Sequence, residues 1–348
     1  MDHDTGRLDV DAVAAWLKDR LPGFDRAGDG GLTAEKFAGG QSNPTFLLTA
    51  ASGAKYVLRR KPPGELLKSA HAVDREFRVQ KALAGTDVPV ARMHVLCEDE
   101  SVIGSMFYVM DHVPGRNFGD PRLPDLGAED RAAIFDEMNR VLAALHALDP
   151  EAIGLGDFGK PGNYFARQLD RWTKQYRASE TEAIAEMDEL IDWLGAHVPP
   201  DDGQVALVHG DYRLDNLIYA ENRPKVVAVL DWELSTLGHP SADIAYQVMQ
   251  WRMPPGPEGR GLAGVDRKAL GIPTDEQYVE LYCRRRGIAG IADFGFCLAF
   301  CFFRFAAILQ GVKKRALDGN ASNPEKAMAL ARFIPLLADE GVAATREG

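Results

Sequence analysis

The sequence predicts an α+β protein of two lobes, a small β-rich lobe carrying one helix and then a larger, mainly helical lobe. Three observations carry this expectation. The chain has 348 residues, too many for a single compact core and ample for two. Between residues 32 and 113 the apolar residues fall in short strand-like runs, Thr45-Phe46-Leu47-Leu48-Thr49, Tyr56-Val57-Leu58 and Met106-Phe107-Tyr108-Val109-Met110. After Pro114-Gly115 they recur instead at helical spacing.

Val10, Val13, Leu17 and Leu21 give an opening helix that Pro22-Gly23 stops. The glycines from Gly28 to Gly31 then read as a turn, so residues 1–30 are an N-terminal helix and linker. Residues 31–113 form the first lobe. Its one helix is capped by Ser69 and turns Val73, Phe77 and Leu83 inward. Residues 114–348 form the second lobe, with one apolar stripe of Ile134, Phe135, Met138, Val141, Leu142 and Leu145 and another of Phe165, Leu169, Trp172 and Tyr176. Residues 205–208 and 226–230 are short β-branched runs, which place a small hairpin inside the helical lobe. Residues 253–264, rich in Gly and Pro, read as a surface loop. The most apolar run, residues 294–309, is short for a bilayer span and contains Arg304, so it reads as a buried helix.

A formal charge of −11 argues against a nucleic-acid or anionic-membrane partner, both of which need a basic face. The clusters Arg284-Arg285-Arg286 and Lys313-Lys314-Arg315 read as solvated runs, with a basic pocket for an anionic substrate as the sharper alternative. Cys97, Cys283, Cys297 and Cys301 have neither zinc-site spacing nor the density of a disulfide scaffold. Reduced thiols in a cytoplasmic protein are expected, with Cys297 and Cys301 on the core face of one helix. The N-terminus has acidic residues and no apolar segment of the signal-peptide kind.

The chemistry concentrates between residues 205 and 233. One strand-like run ends in His209-Gly210-Asp211-Tyr212-Arg213-Leu214-Asp215-Asn216 and the next in Asp231-Trp232-Glu233. Mg²⁺ takes hard oxygen ligands and commonly only one or two protein groups, a need that Asn216 and Asp231 meet. Phosphoryl transfer also requires a residue that orients the attacking hydroxyl and accepts its proton, and Asp211 stands where one is expected. Asp215 reads as a loop-stabilising residue rather than a reactive one.

These motifs resemble those of the aminoglycoside phosphotransferase and choline kinase superfamily, relatives of protein kinases, over roughly residues 30–335. The resemblance implies a bilobal protein-kinase-like fold with an antiparallel-sheet N-lobe that binds ATP and a C-lobe that is catalytic and binds substrate. His209 to Asn216 looks like the catalytic loop, and Asp231-Trp232-Glu233 occupies the place of the metal-binding Asp-Phe-Gly. Gly39, Gly40, Gln41, Ser42 and Asn43 lie where such enzymes lay a loop over the ATP phosphates, the small residues admitting backbone N–H groups and Ser42 and Asn43 adding side-chain donors. Arg59 replaces the usual strand lysine as phosphate ligand, with Glu76 as its partner. Met110, Asp111, His112 and Val113 look like the hinge that meets adenine. Asp243 is expected to brace the catalytic loop, and His239 to pack in a turn.

Arg59-Arg60-Lys61-Pro62-Pro63-Gly64, His71-Ala72-Val73-Asp74-Arg75-Glu76-Phe77, Trp232 to Gly238 and Gln310-Gly311-Val312 are similar to the kinase-like domain associated with acyl-CoA dehydrogenases. That resemblance implies ATP- and Mg²⁺-dependent phosphorylation of a hydroxyl group on a small molecule, a hydroxyacyl-CoA, and a functional link to an acyl-CoA dehydrogenase. The alternatives are an aminoglycoside, choline or homoserine kinase and a non-catalytic nucleotide-binding module. A protein kinase is a further rival, but no Ala-Pro-Glu element or long activation segment follows Asp231.

Overall fold

The computed structural model describes residues 8–18, 20–21, 24, 31–37, 43–62, 72–257, 260–321 and 323–347. In chain order its elements are α1 (Val10–Leu17), β1 (Thr33–Lys36), β2 (Thr45–Thr49), β3 (Lys55–Arg60), α2 (Val73–Leu83), β4 (Met93–Cys97), β5 (Phe107–Asp111), β6 (Arg116–Asn117), α3 (Ala128–Ala147), α4 (Tyr164–Ser179) and α5 (Ala185–Ala196). There follow β7 (Ala206–Val208), β8 (Leu217–Tyr219), β9 (Val226–Val229), β10 (Thr236–Gly238), α6 (Ser241–Arg252), α7 (Arg267–Leu270), α8 (Asp275–Arg286), α9 (Phe294–Leu317), α10 (Pro324–Ala331) and α11 (Ile334–Ala344). The chain falls into two compact units, residues 1–116 with 218–235, and residues 117–217 with 236–348.

The first unit is built on a five-stranded antiparallel sheet of order β1-β2-β3-β5-β4. Alternation along the strands gives the sheet two apolar faces. Phe46, Leu48, Tyr56, Leu58, Phe107 and Val109 pack with Val13 and Leu17 of α1, while Val57, Tyr108 and Met110 pack with Val73 and Phe77 of α2. The opening helix is thus part of this unit's core. Asp9 caps it, accepting from the Ala12 backbone N–H at 3.0 Å. Its expected stop, Pro22-Gly23, lies outside the described residues, as does Ser69, the expected cap of α2. The N-cap position of α2 is Ala72, which offers no side-chain hydrogen bond.

The second unit is mainly helical. Its core surrounds α9, which is flanked by α4, α5, α6, α10 and α11. By length and composition α9 could cross a membrane, yet 83% of its apolar window is buried, so it is the core helix expected from residues 294–309. Cys297 and Cys301 are both buried on it, and all four cysteines are free. The stripe from Ile134 to Leu145 is buried on α3.

The two short β-branched runs do not pair with each other. β7 pairs antiparallel with β10, whereas β8 and β9 form a sheet with β6 in the order β6-β8-β9. Residues 218–235 group with the first unit rather than staying inside the helical lobe, because the Val229 N–H donates to Pro89 O at 2.8 Å and Arg75 donates to Ser235 O at 3.4 Å. At Gly238 a Cβ atom would lie 2.7 Å from the Tyr164 ring, so the approach of β10 to α4 requires a residue without one.

The buried position of α11 on α9 yields a paired expectation. Leu337→Ala, at a fully buried site, should cost about 2–5 kcal/mol. Leu317→Ala, at the 57% exposed end of α9, should cost no more than about 0.5 kcal/mol. Urea titration of the two variants checks this, and equal losses would contradict the assigned core.

Candidate active site

In the first unit, strand register sets the site. β3 and β5 pair Arg59 with Tyr108, so both residues stand on the face that α2 covers. On α2, Glu76 lies one turn beyond Val73 and is buried to 1% exposure. Arg59 Nε approaches Glu76 Oε2 at 3.0 Å, and Tyr108 donates its hydroxyl to the same oxygen at 3.0 Å. The Asn43 amide, read from sequence as a phosphate donor, is buried and donates to Glu76 Oε1 at 2.8 Å. Gly39, Gly40, Gln41 and Ser42 lie outside the described residues.

Arg59 also reaches the loop after β9. Its Nη2 lies 2.7 Å from Asp231 Oδ1 and 3.4 Å from Glu233 Oε2. Three carboxylates therefore meet at one guanidinium, a concentration of hard oxygens that suits a divalent cation. Burial first, and the carboxylates of Asp231 and Glu233 with it, push the Glu76 carboxyl up to about 7 against the pull of Arg59. Burial opposes the charge of Arg59 too, but its acidic neighbours outweigh it and raise that guanidinium further. Asp231 holds a left-handed backbone at φ 63° and ψ 57°, a conformation uncommon for a residue with a Cβ.

The expected hinge lies at the end of β5. The N–H groups of Asp111 and His112 are spent on Arg92 O and Lys55 O, at 2.9 and 3.4 Å, and the Asp111 carboxylate sits 2.6 Å from His94 Nε2. Met110 is buried on the α2 face, and Val113 packs beside it.

In the second unit β7 delivers His209-Gly210-Asp211. The loop is fixed by Asp243, fully buried in the first turn of α6, which accepts from the His209 N–H at 2.6 Å and the Gly210 N–H at 2.8 Å. Gly210 has φ 82°, the left-handed backbone that lets two successive N–H groups face one carboxylate. Asp243 is thus the brace expected from sequence. His146 Nε2 lies 3.2 Å from it, and His146 Nδ1 lies 2.7 Å from the Tyr282 hydroxyl. Tyr212 anchors the loop from the other side, donating to Met138 O at 2.8 Å.

Asp211 is held on both oxygens. Tyr246 donates to Oδ1 at 2.7 Å, Arg213 Nε lies 3.2 Å from that oxygen, and Asn216 Nδ2 donates to Oδ2 at 3.1 Å and to the Asp211 carbonyl at 2.8 Å. The Asn216 amide nitrogen is therefore committed to Asp211. Asp215 pairs with Arg213 at 3.2 Å and with Arg260, the loop-stabilising place expected for it. His239 sits in a turn between Ser241 and Asp202 and packs on Phe165.

Sequence reasoning missed Tyr246, Glu233 and Arg304. Tyr246 and Arg304 lie on helices whose apolar pattern reads as core. Of the basic clusters, Arg284, Arg285, Lys313 and Lys314 pair with nearby carboxylates as solvated runs do. Among the described residues no group of three or more His, Cys, Asp or Glu forms a ready cage for a metal.

A family model described as "Phosphotransferase enzyme family" matches residues 33–278. The chain is 49% identical over 320 residues to acyl-CoA dehydrogenase family member 10 of Mus musculus, a match covering 92% of this chain and 30% of that protein. With family member 11 of Rattus norvegicus the share of the relative is 44%, so the chain spans less than half the length of these curated relatives. A crystal structure from Ralstonia eutropha, provisionally named an aminoglycoside phosphotransferase, is 51% identical with a TM-score of 0.88, covering 98% of this chain and 99% of that one. A thermostable mutant of aminoglycoside phosphotransferase APH(4)-Ia, solved as a ternary complex with AMP-PNP and hygromycin B, is 17% identical with a TM-score of 0.62, covering 96% and 98%. The antiparallel sheet unit and the helical unit match the fold of these neighbours, the kinase-like α+β fold expected from sequence.

The brace predicts an acid-side loss of stability. Burial drives the His146 imidazole below its ordinary value against the pull of Asp243. Burial opposes the charge of Asp243, but His146 and the backbone donors outweigh it and lower that carboxyl. Both groups bind fewer protons folded than unfolded, so their stabilisation is complete above the unfolded histidine value of about 6.5. It is lost as pH falls, first through the histidine and then through the carboxylate. In urea titrations between pH 8 and pH 5, His146→Gln should lose less stability below about pH 6.5 than the unsubstituted chain. Parallel curves would exclude a titrating His146.

Proposed function

Because the chain belongs to the phosphotransferase enzyme family, we propose that it moves the terminal phosphoryl group of ATP to a hydroxyl group of a small molecule. The observation that carries the reading is the Arg59 cluster, in which one guanidinium joins a buried helix carboxylate to Asp231. Such an arrangement suits phosphoryl transfer, because the reaction depends on positioned phosphates and neutralised charge. The AMP-PNP bound by the APH(4)-Ia structure supports ATP as donor.

In this reading Arg59, held by Glu76, contacts phosphate, aided by residues 39–42, and the segment from Met110 to Val113 receives adenine. Mg²⁺ fits the carboxylates around Arg59, among which Asp231 would hold it and where it would neutralise phosphate charge, and Asn216 is the second ligand that the family resemblance implies. Asp211 orients the acceptor hydroxyl and takes its proton as the new P–O bond forms and the bond to the ADP oxygen breaks. Tyr246, Asn216 and Arg213 hold that carboxylate in one orientation. The names of the curated relatives suggest a functional link to an acyl-CoA dehydrogenase, and a hydroxyacyl-CoA is the acceptor proposed with it.

Asp211→Asn should keep ATP affinity and lower turnover roughly 10²–10⁴-fold. Single-turnover kinetics on folded variant would remove Asp211 from the mechanism if the rate held. Asp231→Ala should abolish the Mg²⁺ dependence of nucleotide binding, measured by calorimetry with and without the metal. The acceptor is tested with hydroxyacyl-CoAs, homoserine, choline and aminoglycosides, each supplied with Mg²⁺ and ATP and followed by mass spectrometry. Product from choline or an aminoglycoside alone would overturn the thioester and leave the phosphotransferase.

A further inference from the structure

Arg304 lies in the middle of α9 and is only 9% exposed. Among the described residues no carboxylate stands within ion-pair distance of it, and its Nε has no hydrogen-bond partner. Its contacts are a 3.3 Å donation from Nη2 to the Gly210 carbonyl and two aromatic rings, with Trp172 and Tyr246 centred 5.7 and 5.9 Å from the guanidinium carbon. A guanidinium has five N–H donors. One carbonyl and two ring faces leave most of them unused, and a buried charge without a counter-ion is costly.

The position of this cation gives it meaning. Gly210 precedes Asp211, and the tyrosine whose ring meets Arg304 is the one whose hydroxyl bonds Asp211. Arg304 is therefore fixed beside the carboxylate assigned to the acceptor hydroxyl, with the half-buried Trp172 next to it as an apolar wall. We infer that Arg304 recognises the acceptor by donating to a carbonyl or carboxylate oxygen carried near the hydroxyl that is phosphorylated. This rests on the reading of Asp211 as the acceptor-side residue. The missing counter-charge is then supplied by the substrate, through a charge-assisted hydrogen bond. A cationic acceptor would be repelled from the same place.

The alternative is that Arg304 only braces Gly210, and binding measurements separate the two. Calorimetry without nucleotide compares β-hydroxybutyrate, its pantetheine thioester, butanediol and choline as ligands of the unsubstituted chain, Arg304→Lys and Arg304→Met. The unsubstituted chain should prefer one of the two oxygen-bearing probes to butanediol. Arg304→Met should weaken that probe roughly 10- to 100-fold, leave butanediol and ATP affinity unchanged, and be partly rescued by lysine. The acid and thioester arms tell a carboxylate from a carbonyl. Equal binding of butanediol, no binding of either oxygen-bearing probe, or a uniform loss in Arg304→Met overturns the inference. If Arg304→Met does not fold, the probe preference of the unsubstituted chain and the Arg304→Lys affinities decide in the same way. Probe binding that depends on Arg304 without phosphorylation of any acceptor would defeat the phosphotransferase reading and leave the inference. Phosphorylation with probe binding indifferent to Arg304 would do the reverse.

Discussion

The buried carboxylate of Asp243 organises the second unit. It accepts from two consecutive backbone N–H groups, those of His209 and Gly210, and it faces His146. Neither N–H could find a ladder partner where the chain leaves β7, and an orphaned buried donor is expensive. Asp243 removes that penalty, and the charge that it brings inside is compensated by the same donors. His146 comes from α3 and is itself bonded to Tyr282 of α8. Three helices and one strand thus converge on the turn that aims Asp211, and the position of Asp211 inherits the rigidity of the core.

The first unit solves a different problem, an acidic cluster. Glu76, Asp231 and Glu233 all meet Arg59. Inside a helix–sheet interface such a cluster is unfavourable, and the upward displacement of Glu76 reflects its burial first and its acidic neighbours second. The arrangement persists because Tyr108 and Asn43 supply neutral hydrogen bonds to Glu76 and because Asp231 and Glu233 stay partly exposed. A site that is unfavourable in charge alone is one that a cation improves on binding. The left-handed backbone of Asp231 belongs to the same pattern, a local cost held by its surroundings.

Much of this was legible in the amino-acid order. Period-two runs located β2, β3 and β5, and the apolar stripes located α3 and α4, because each pattern follows from how side chains leave a strand or a helix. Arg59 and Glu76 could be paired because the family resemblance implies that a strand cation and a helix glutamate meet. What could not be read depends on contacts between distant segments. Asn43 donates to a residue 33 positions away, and nothing local separates that role from phosphate binding. The partners of β7 and β9 were equally hidden. Strands of three and four residues carry too little pattern to choose among edges, and the choice is made by Pro89 and by the close approach of Gly238 to Tyr164.

Net charge was the least informative quantity. A chain at −11 invites the expectation of sites for cations, yet the side chain buried beside Asp211 is an arginine. The two facts are compatible because whole-molecule charge resides on solvated side chains and is screened within about 10 Å at moderate salt. A buried guanidinium is screened far less, so its field dominates its immediate surroundings. Asp211 therefore experiences Arg304, Arg213 and the Tyr246 hydroxyl rather than the acidic surface. The cation fixed beside Asp211 is also the one with donors to spare.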